Sequence, residues 1–187
     1  MEGTHAINII VDAYLRAGIN DFDLSLAYKA MKQSATQPQA HAGRSGLSQY
    51  ISLGYVPYDV DKKGAVLTQS FACKFSQFEC SSYVNRSFSD DDWALANYAT
   101  ALNLTSDAQM FYSRSQNYKN VWNSQYKFFC PKTSSGKWEC PETWLNVFDE
   151  RYVEGDAWHY RYAHNWLIVA SNVSTKVVRT ARYRWLD

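Results

Sequence analysis

Four stretches of this chain carry apolar residues at helical spacing, and they come in two pairs whose members are joined by short links. A short link between two helices forces an antiparallel return, so the chain is read as mainly α and built from helical hairpins. In the first pair, residues 4–17 form a buried helix with Ile7, Ile10, Val11, Tyr14 and Leu15 on one side and Gly18 as its stop. Asp23 is placed to cap the next helix, where Leu24, Ala27, Tyr28, Met31 and Ala35 share a face. In the second pair, Asp90, Asp91 and Asp92 open a helix whose inner face is Trp93, Ala96, Ala99 and Leu102. Ser106 and Gln109 then make a capping box for a fourth helix carrying Ala108, Phe111, Ser115, Tyr118 and Trp122.

The segments between these helices are read from their breakers. Residues 34–45 are polar, with Pro38 and Gly43, and read as loop; residues 46–58 lead into a turn at Pro57. Residues 124–151 are mostly loop or hairpin, with a tight turn at 133–136. The acidic triplet has two readings. Three carboxylates at a helix start complement the macrodipole, and they could also ligate a cation. Capping is the better account, because calcium needs oxygens at several spaced positions.

The four cysteines fall as Cys73 with Cys80 and Cys130 with Cys140. Neither spacing suits a structural zinc site, and no His-Glu-x-x-His helix is present among His5, His41, His159 and His164. Two local disulfides, each closing a short loop, are the better reading, with free buried thiols as the alternative. Three N-glycosylation sequons start at Asn85, Asn103 and Asn172, and with the cysteines they favour an oxidising, secretory environment. No leader is visible at Met1-Glu2-Gly3, so a secretory leader is expected outside this chain. The apolar runs are too short to span a membrane, and a net charge of +1 gives no general attraction to nucleic acid.

Chemistry concentrates at residues 153–162, reading Val-Glu-Gly-Asp-Ala-Trp-His-Tyr-Arg-Tyr. Glu154 stands beside Gly155, which lets a backbone pass close to a ligand, and Asp156 can cap a helix carrying Trp158, His159 and Tyr160. A carboxyl among aromatic rings is partly desolvated, which raises its pKa and keeps it protonated as a general acid. The plainer reading is an ordinary capped helix start. Aromatic residues make up 16% of the chain, with 7 Trp and 14 Tyr; part of that excess suits stacking on sugar faces, and most of it suits a core of large side chains.

Several segments, in order, resemble glycoside hydrolase family 92, the calcium-dependent exo-acting α-mannosidases. They are His5-Ala6 with Ile10 to Tyr14 and Gly18-Ile19; Asp21-Phe22-Asp23 with Ala27-Tyr28 and Ala30-Met31; and Gly46-Leu47, Tyr50 and Leu53 to Pro57. Asp91-Asp92-Trp93-Ala94, Ser113 to Asn120 and Glu154 to Tyr160 complete the set. The resemblance implies that residues 1–165 are part of an (α/α)6 toroid catalytic domain with a disulfide-closed loop or hairpin arm. Residues 166–187, locally basic with Lys176, Arg179, Arg182 and Arg184, match nothing in the family and read as a divergent tail.

The same resemblance implies an inverting hydrolase of terminal α-mannosides of N-glycans, with Glu154 as general acid. Asp156, Trp158, His159 and Trp144 are the expected substrate-binding residues, and residues 124–151 are expected to deliver Trp144 and Tyr152 toward Glu154. Calcium is the implied cofactor, its ligands expected outside this chain and none assigned within it; mannose-containing glycans are the implied partners. Two departures stand out. The family carboxylate that precedes the paired aspartates aligns with Ser87, and the family's general base belongs to a motif far beyond Asp187. Inversion needs two carboxyls about 6.5–9.5 Å apart, so little turnover is expected of this chain alone. An incomplete toroid is also expected to leave apolar helix faces open to solvent. The alternative function is a noncatalytic sugar-binding or regulatory remnant of such an enzyme.

Overall fold

The computed structural model describes residues 4, 6–38, 44, 46–59, 80–143 and 157–158, with side chains from 88 onward in the segment that starts at 80. The helices are α1 (Ala6–Leu15), α2 (Leu24–Thr36), α3 (Leu47–Leu53), α4 (Cys80–Ala101) and α5 (Thr105–Ser115). A 3-10 helix, Gln116–Val121, continues α5 into a hairpin of β1 (Trp122–Asn123) and β2 (Phe128–Phe129). The two strands are antiparallel, with Trp122 opposite Phe129 and Asn123 opposite Phe128.

Burial follows the predicted stripes. Ile7 and Val11 of α1, Tyr28, Met31 and Ala35 of α2, and Phe111 of α5 meet Leu95, Tyr98 and Ala99 of α4 in one core. Tyr98 is the hub: its ring stacks on Tyr28 at 6.2 Å, meets Tyr14 edge-on at 5.1 Å, and its hydroxyl donates to the Leu24 carbonyl at 3.2 Å. A buried phenol needs such an acceptor, because an unsatisfied hydroxyl in this core would cost on the order of 1–3 kcal/mol. Asp23 caps α2 as expected, its carboxylate accepting from the Leu26 amide at 2.9 Å.

Several boundaries differ from the sequence reading. Helix α1 ends at Leu15, which is 42% exposed, because the chain turns away through Gly18 (φ +67°). Helix α2 runs on to Thr36, into the stretch read as loop, and residues 47–53 form α3, a short helix that the sequence pattern did not reveal. Left-handed glycines bound it: Gly46 (φ +70°) and Gly54 (φ +75°). Helix α4 starts at Cys80 rather than at the acidic triplet, so Asp91 and Asp92 lie in its middle and cap nothing. The proposed capping box is absent as well. Leu104 occupies the N-cap position of α5 without a side-chain bond, and Thr105 is already the first helical residue.

The arm after α5 takes the expected form. Cys130 and Cys140 are bridged, and the Gly136 amide closes the turn on the Thr133 carbonyl at 2.9 Å. Lys132 pairs with Trp138 across it, and the Lys132 ammonium lies 4.0 Å above the indole centroid. Asp59 holds this turn to the segment after α3 through the Ser134 amide and hydroxyl, both at 2.7 Å. The pairing of Cys73 with Cys80 and the tail 166–187 lie outside the described residues. Among the described residues no helix is long and apolar enough to cross a membrane. Ile9 of α1 and Leu26 of α2 are 71% and 63% exposed, in keeping with the expectation of open apolar helix faces.

Candidate functional site

Of the residues expected to form a sugar site, Trp158 is the one the structure describes; Glu154, Asp156, His159 and Trp144 lie outside the described residues, as does Tyr152. Residues 157–158 form a helical fragment whose Ala157 is buried. The Trp158 ring meets Phe128 edge-on, centroids 4.9 Å apart at 81°, and 40% of the residue stays exposed. An indole held against Phe128 with part of its surface exposed has a shape that can stack on the apolar face of a sugar, and a ring held in place loses little freedom on binding.

The brace has its own foundation. Phe128 is buried on β2, and the turn before it is held by Asn123, whose side-chain oxygen accepts from the Gln125 and Tyr126 amides at 3.0 and 3.1 Å. That bonding lets Lys127 sit at φ +60°, a left-handed conformation that costs a non-glycine residue about 1 kcal/mol. Beneath the hairpin, Tyr55, Tyr118, Val121 and Phe129 form a small core with Trp122 packed on it. Asn120 ties this core to α3, donating to the Gly54 carbonyl at 2.9 Å. A Cβ at Gly54 would lie 2.7 Å from the Asn120 amide nitrogen, so glycine permits both the turn and the bond.

A second polar constellation ties α1, α3, α4 and α5 together. Asp91 accepts from Thr4 Oγ1 and Asn8 Nδ2, both at 2.6 Å, and Asp92 accepts from Arg44 Nη1 and Arg114 Nε, both at 2.9 Å. Arg44 also donates through Nε to Thr4 Oγ1 at 3.0 Å and lies over the Phe88 ring at 4.9 Å. Tyr50 completes the cluster, its hydroxyl donating to the Arg114 carbonyl at 3.1 Å. Burial pushes the Asp92 carboxyl up from its ordinary value, and the two guanidiniums pull it back. Burial, with the nearby Asp92 charge, likewise raises the Tyr50 phenol and keeps it neutral.

This cluster disposes of both earlier readings of the acidic triplet for Asp91 and Asp92. Their oxygens are taken by guanidinium, amide and hydroxyl donors, and a calcium ion needs six to eight oxygens with no cation against them. Asp91 and Asp92 therefore do not fit calcium, and among the described residues no group of three or more potential ligands lies together. Arg44 was missed by sequence reasoning, since it sits in a polar stretch that reads as loop. The available signal was two adjacent aspartates inside a helical apolar pattern, which demand buried cations.

Comparison with known proteins bears on what this scaffold carries. The family model described as the glycosyl hydrolase family 92 catalytic domain matches residues 1–166. An uncharacterized secreted glycosidase of Arthroderma benhamiae is 25% identical over 163 residues, covering 85% of this chain and 19% of the relative. Among solved structures, a family 92 inverting mannosidase of Bacteroides thetaiotaomicron superposes with a TM-score of 0.68 at 25% identity, over 85% of this chain and 19% of that one. An α-mannosidase of the same organism, in complex with mannoimidazole, shares the fold with a TM-score of 0.69 at 23% identity, over 87% of this chain and 19% of that one. The chain thus spans about a fifth of the length of these relatives. By a match that runs through most of its sequence and a fold that agrees with it, this chain belongs to glycosyl hydrolase family 92.

Proposed function

We infer that this chain forms the general-acid side of an inverting exo-α-mannosidase site acting on terminal α-mannosides of N-glycans. The observation that carries the reading is the family match through residue 166, which includes the Glu154-Gly155-Asp156-Ala157-Trp158-His159 run. In this reading Glu154 protonates the leaving glycosidic oxygen, and a second carboxylate activates water on the opposite face of the ring. Trp158 supplies the stacking surface, with Asp156, His159 and Trp144 as polar and aromatic contacts to the sugar. Acid assistance alone contributes only ~10²- to 10⁴-fold, so turnover in this reading requires the second carboxylate as well.

Calcium enters this reading through the family alone; when bound, it would supply positive charge beside the sugar hydroxyls. Secretion belongs to the same reading, supported by the bridged Cys130 and Cys140 and by the secreted Arthroderma relative.

The test pairs binding with turnover. Purified chain is titrated calorimetrically with mannoimidazole and assayed on an aryl α-mannoside, with calcium and with chelator, beside Glu154→Gln. Binding that prefers mannoimidazole over the glucose-configured analogue, with turnover weak and lost in Glu154→Gln, is the expected result. Binding that survives Glu154→Gln with no turnover at all would assign the chain to a sugar-binding remnant. A folded chain that binds neither analogue overturns the mannoside reading.

A further inference from the structure

The link between α4 and α5 contains Asn103-Leu104-Thr105, one of the three sequons. We propose that Asn103 is an N-glycan acceptor site of the folded protein, an inference that rests on the secretory reading above. Its three residues are all exposed, and Asn103 occupies the left-handed region at φ +60°. Backbone bonds from Asn103 to the Thr100 carbonyl at 3.0 Å and from Leu104 to the Ala99 carbonyl at 2.8 Å hold the turn outward.

The conformation alone accounts for an asparagine here, since asparagine tolerates this region best after glycine. It does not account for the hydroxyl two positions on. Thr105 falls one residue too late to cap α5, and the N-cap place is given to Leu104 without a side-chain bond. Among the described residues neither the Asn103 carboxamide nor the Thr105 hydroxyl has a hydrogen-bond partner. Both sequon side chains are therefore free of folding duties and stand at the surface. Asn85 differs, because its backbone lies inside α4, and sequons are used in surface loops.

The modification is a glycosyl transfer from a lipid-linked oligosaccharide diphosphate. The Asn103 amide nitrogen forms a bond to the sugar anomeric carbon, the carbon–oxygen bond to the diphosphate breaks, and the amide gives up one proton. The lipid diphosphate leaves with the bonding electrons, and no oxidant or reductant is needed.

The test expresses the chain in yeast behind a borrowed secretory leader, so that entry does not depend on the native route. Tryptic peptide 87–114 has Asn103 as its one sequon, and it is read by mass spectrometry after peptide N-glycosidase in heavy-oxygen water. The expected result is heavy-oxygen aspartate at 103 in most of the chain, abolished by Asn103→Gln and by Thr105→Ala and kept in Thr105→Ser. Chain retained in the cell is read the same way once protease protection shows that it has entered the membrane compartment. Unmodified Asn103 in translocated chain overturns the proposal. If instead the native protein stays in the cytosol while Asn103 is modified behind the borrowed leader, the secretory reading fails and takes the native use of the site with it, leaving only the competence of the sequon.

Discussion

Arg114 Nε reaches Asp92 Oδ2 at 2.9 Å and so fastens α5 to the middle of α4, at a carboxylate fully removed from solvent. Arg44 approaches the same carboxylate from the segment before α3, at 2.9 Å. A single buried anion thus gathers three parts of the chain, and removing it leaves the Arg114 guanidinium without its carboxylate and Arg44 with only its longer contact to Asp91, at 3.4 Å. Asp92→Ala is expected to destabilise the fold by about 3–5 kcal/mol, the usual cost of breaking a buried pair from one side. Urea unfolding would measure it, and a loss under about 1 kcal/mol would contradict the central role given to this residue.

The helix faces were legible because apolar spacing reports directly on burial: Tyr28, Met31, Ala35, Ala96, Ala99 and Phe111 all point where the pattern places them. The start of α4 was not legible. Asp91 and Asp92 have the chemistry of a helix start, and their partners Thr4, Asn8 and Arg44 lie far away in sequence, so no local rule could identify them as core. Helix α3 was hidden for a related reason: seven residues between two glycines give too few turns for a periodic signal. For the proposed site, the motif pointed to Trp158 through its neighbours Glu154 and His159, while Phe128, the ring it packs on, comes from a hairpin thirty residues earlier in the chain.

Acid should weaken one link between α2 and α5. The Asp107 carboxylate accepts from Lys32 Nζ at 2.6 Å and from the Tyr28 hydroxyl at 2.7 Å, and these bonds hold it below its ordinary pKa. A depressed value in the folded state favours the ionised form there. The stabilisation is complete above the ordinary carboxylate value near about 4 and fades as pH falls through the lower folded value. Because Lys32 is 39% exposed, solvent screening limits the contribution to about 1 kcal/mol or less. The stability gap between the native chain and Asp107→Asn should therefore be present at neutral pH and shrink in urea titrations near pH 3. An unchanged gap would exclude ionisation of Asp107 as its source.

The Cys130–Cys140 bridge closes a loop with a sequence separation of 10, so its effect on the unfolded chain is modest, about 2–3 kcal/mol on the chain-entropy account. Replacing both cysteines with serine should lower the unfolding free energy extrapolated from urea titration by that amount and leave helical circular dichroism intact, since the helical core lies elsewhere. Loss of helical signal in the folded baseline would show that the arm supports α4 and α5 as well.

The contact between Phe128 and Trp158 offers the sharpest test of the sugar-site reading, because the two residues have separable duties. Phe128 is buried and touches no solvent-facing surface of consequence, whereas Trp158 presents its open part outward. Phe128→Leu keeps most of the buried volume but removes the edge-on ring, an interaction worth about 0.5–1.5 kcal/mol. If Trp158 stacks on sugar and depends on this brace, the substitution should weaken mannoimidazole binding by up to about tenfold, and Trp158→Ala should weaken it at least as much. Calorimetric titration of both variants, with circular dichroism to verify the fold, separates the possibilities. Equal affinity in all three proteins would leave Trp158 as a packing residue, whose exposed portion awaits cover from elsewhere, and would move the stacking role to another ring.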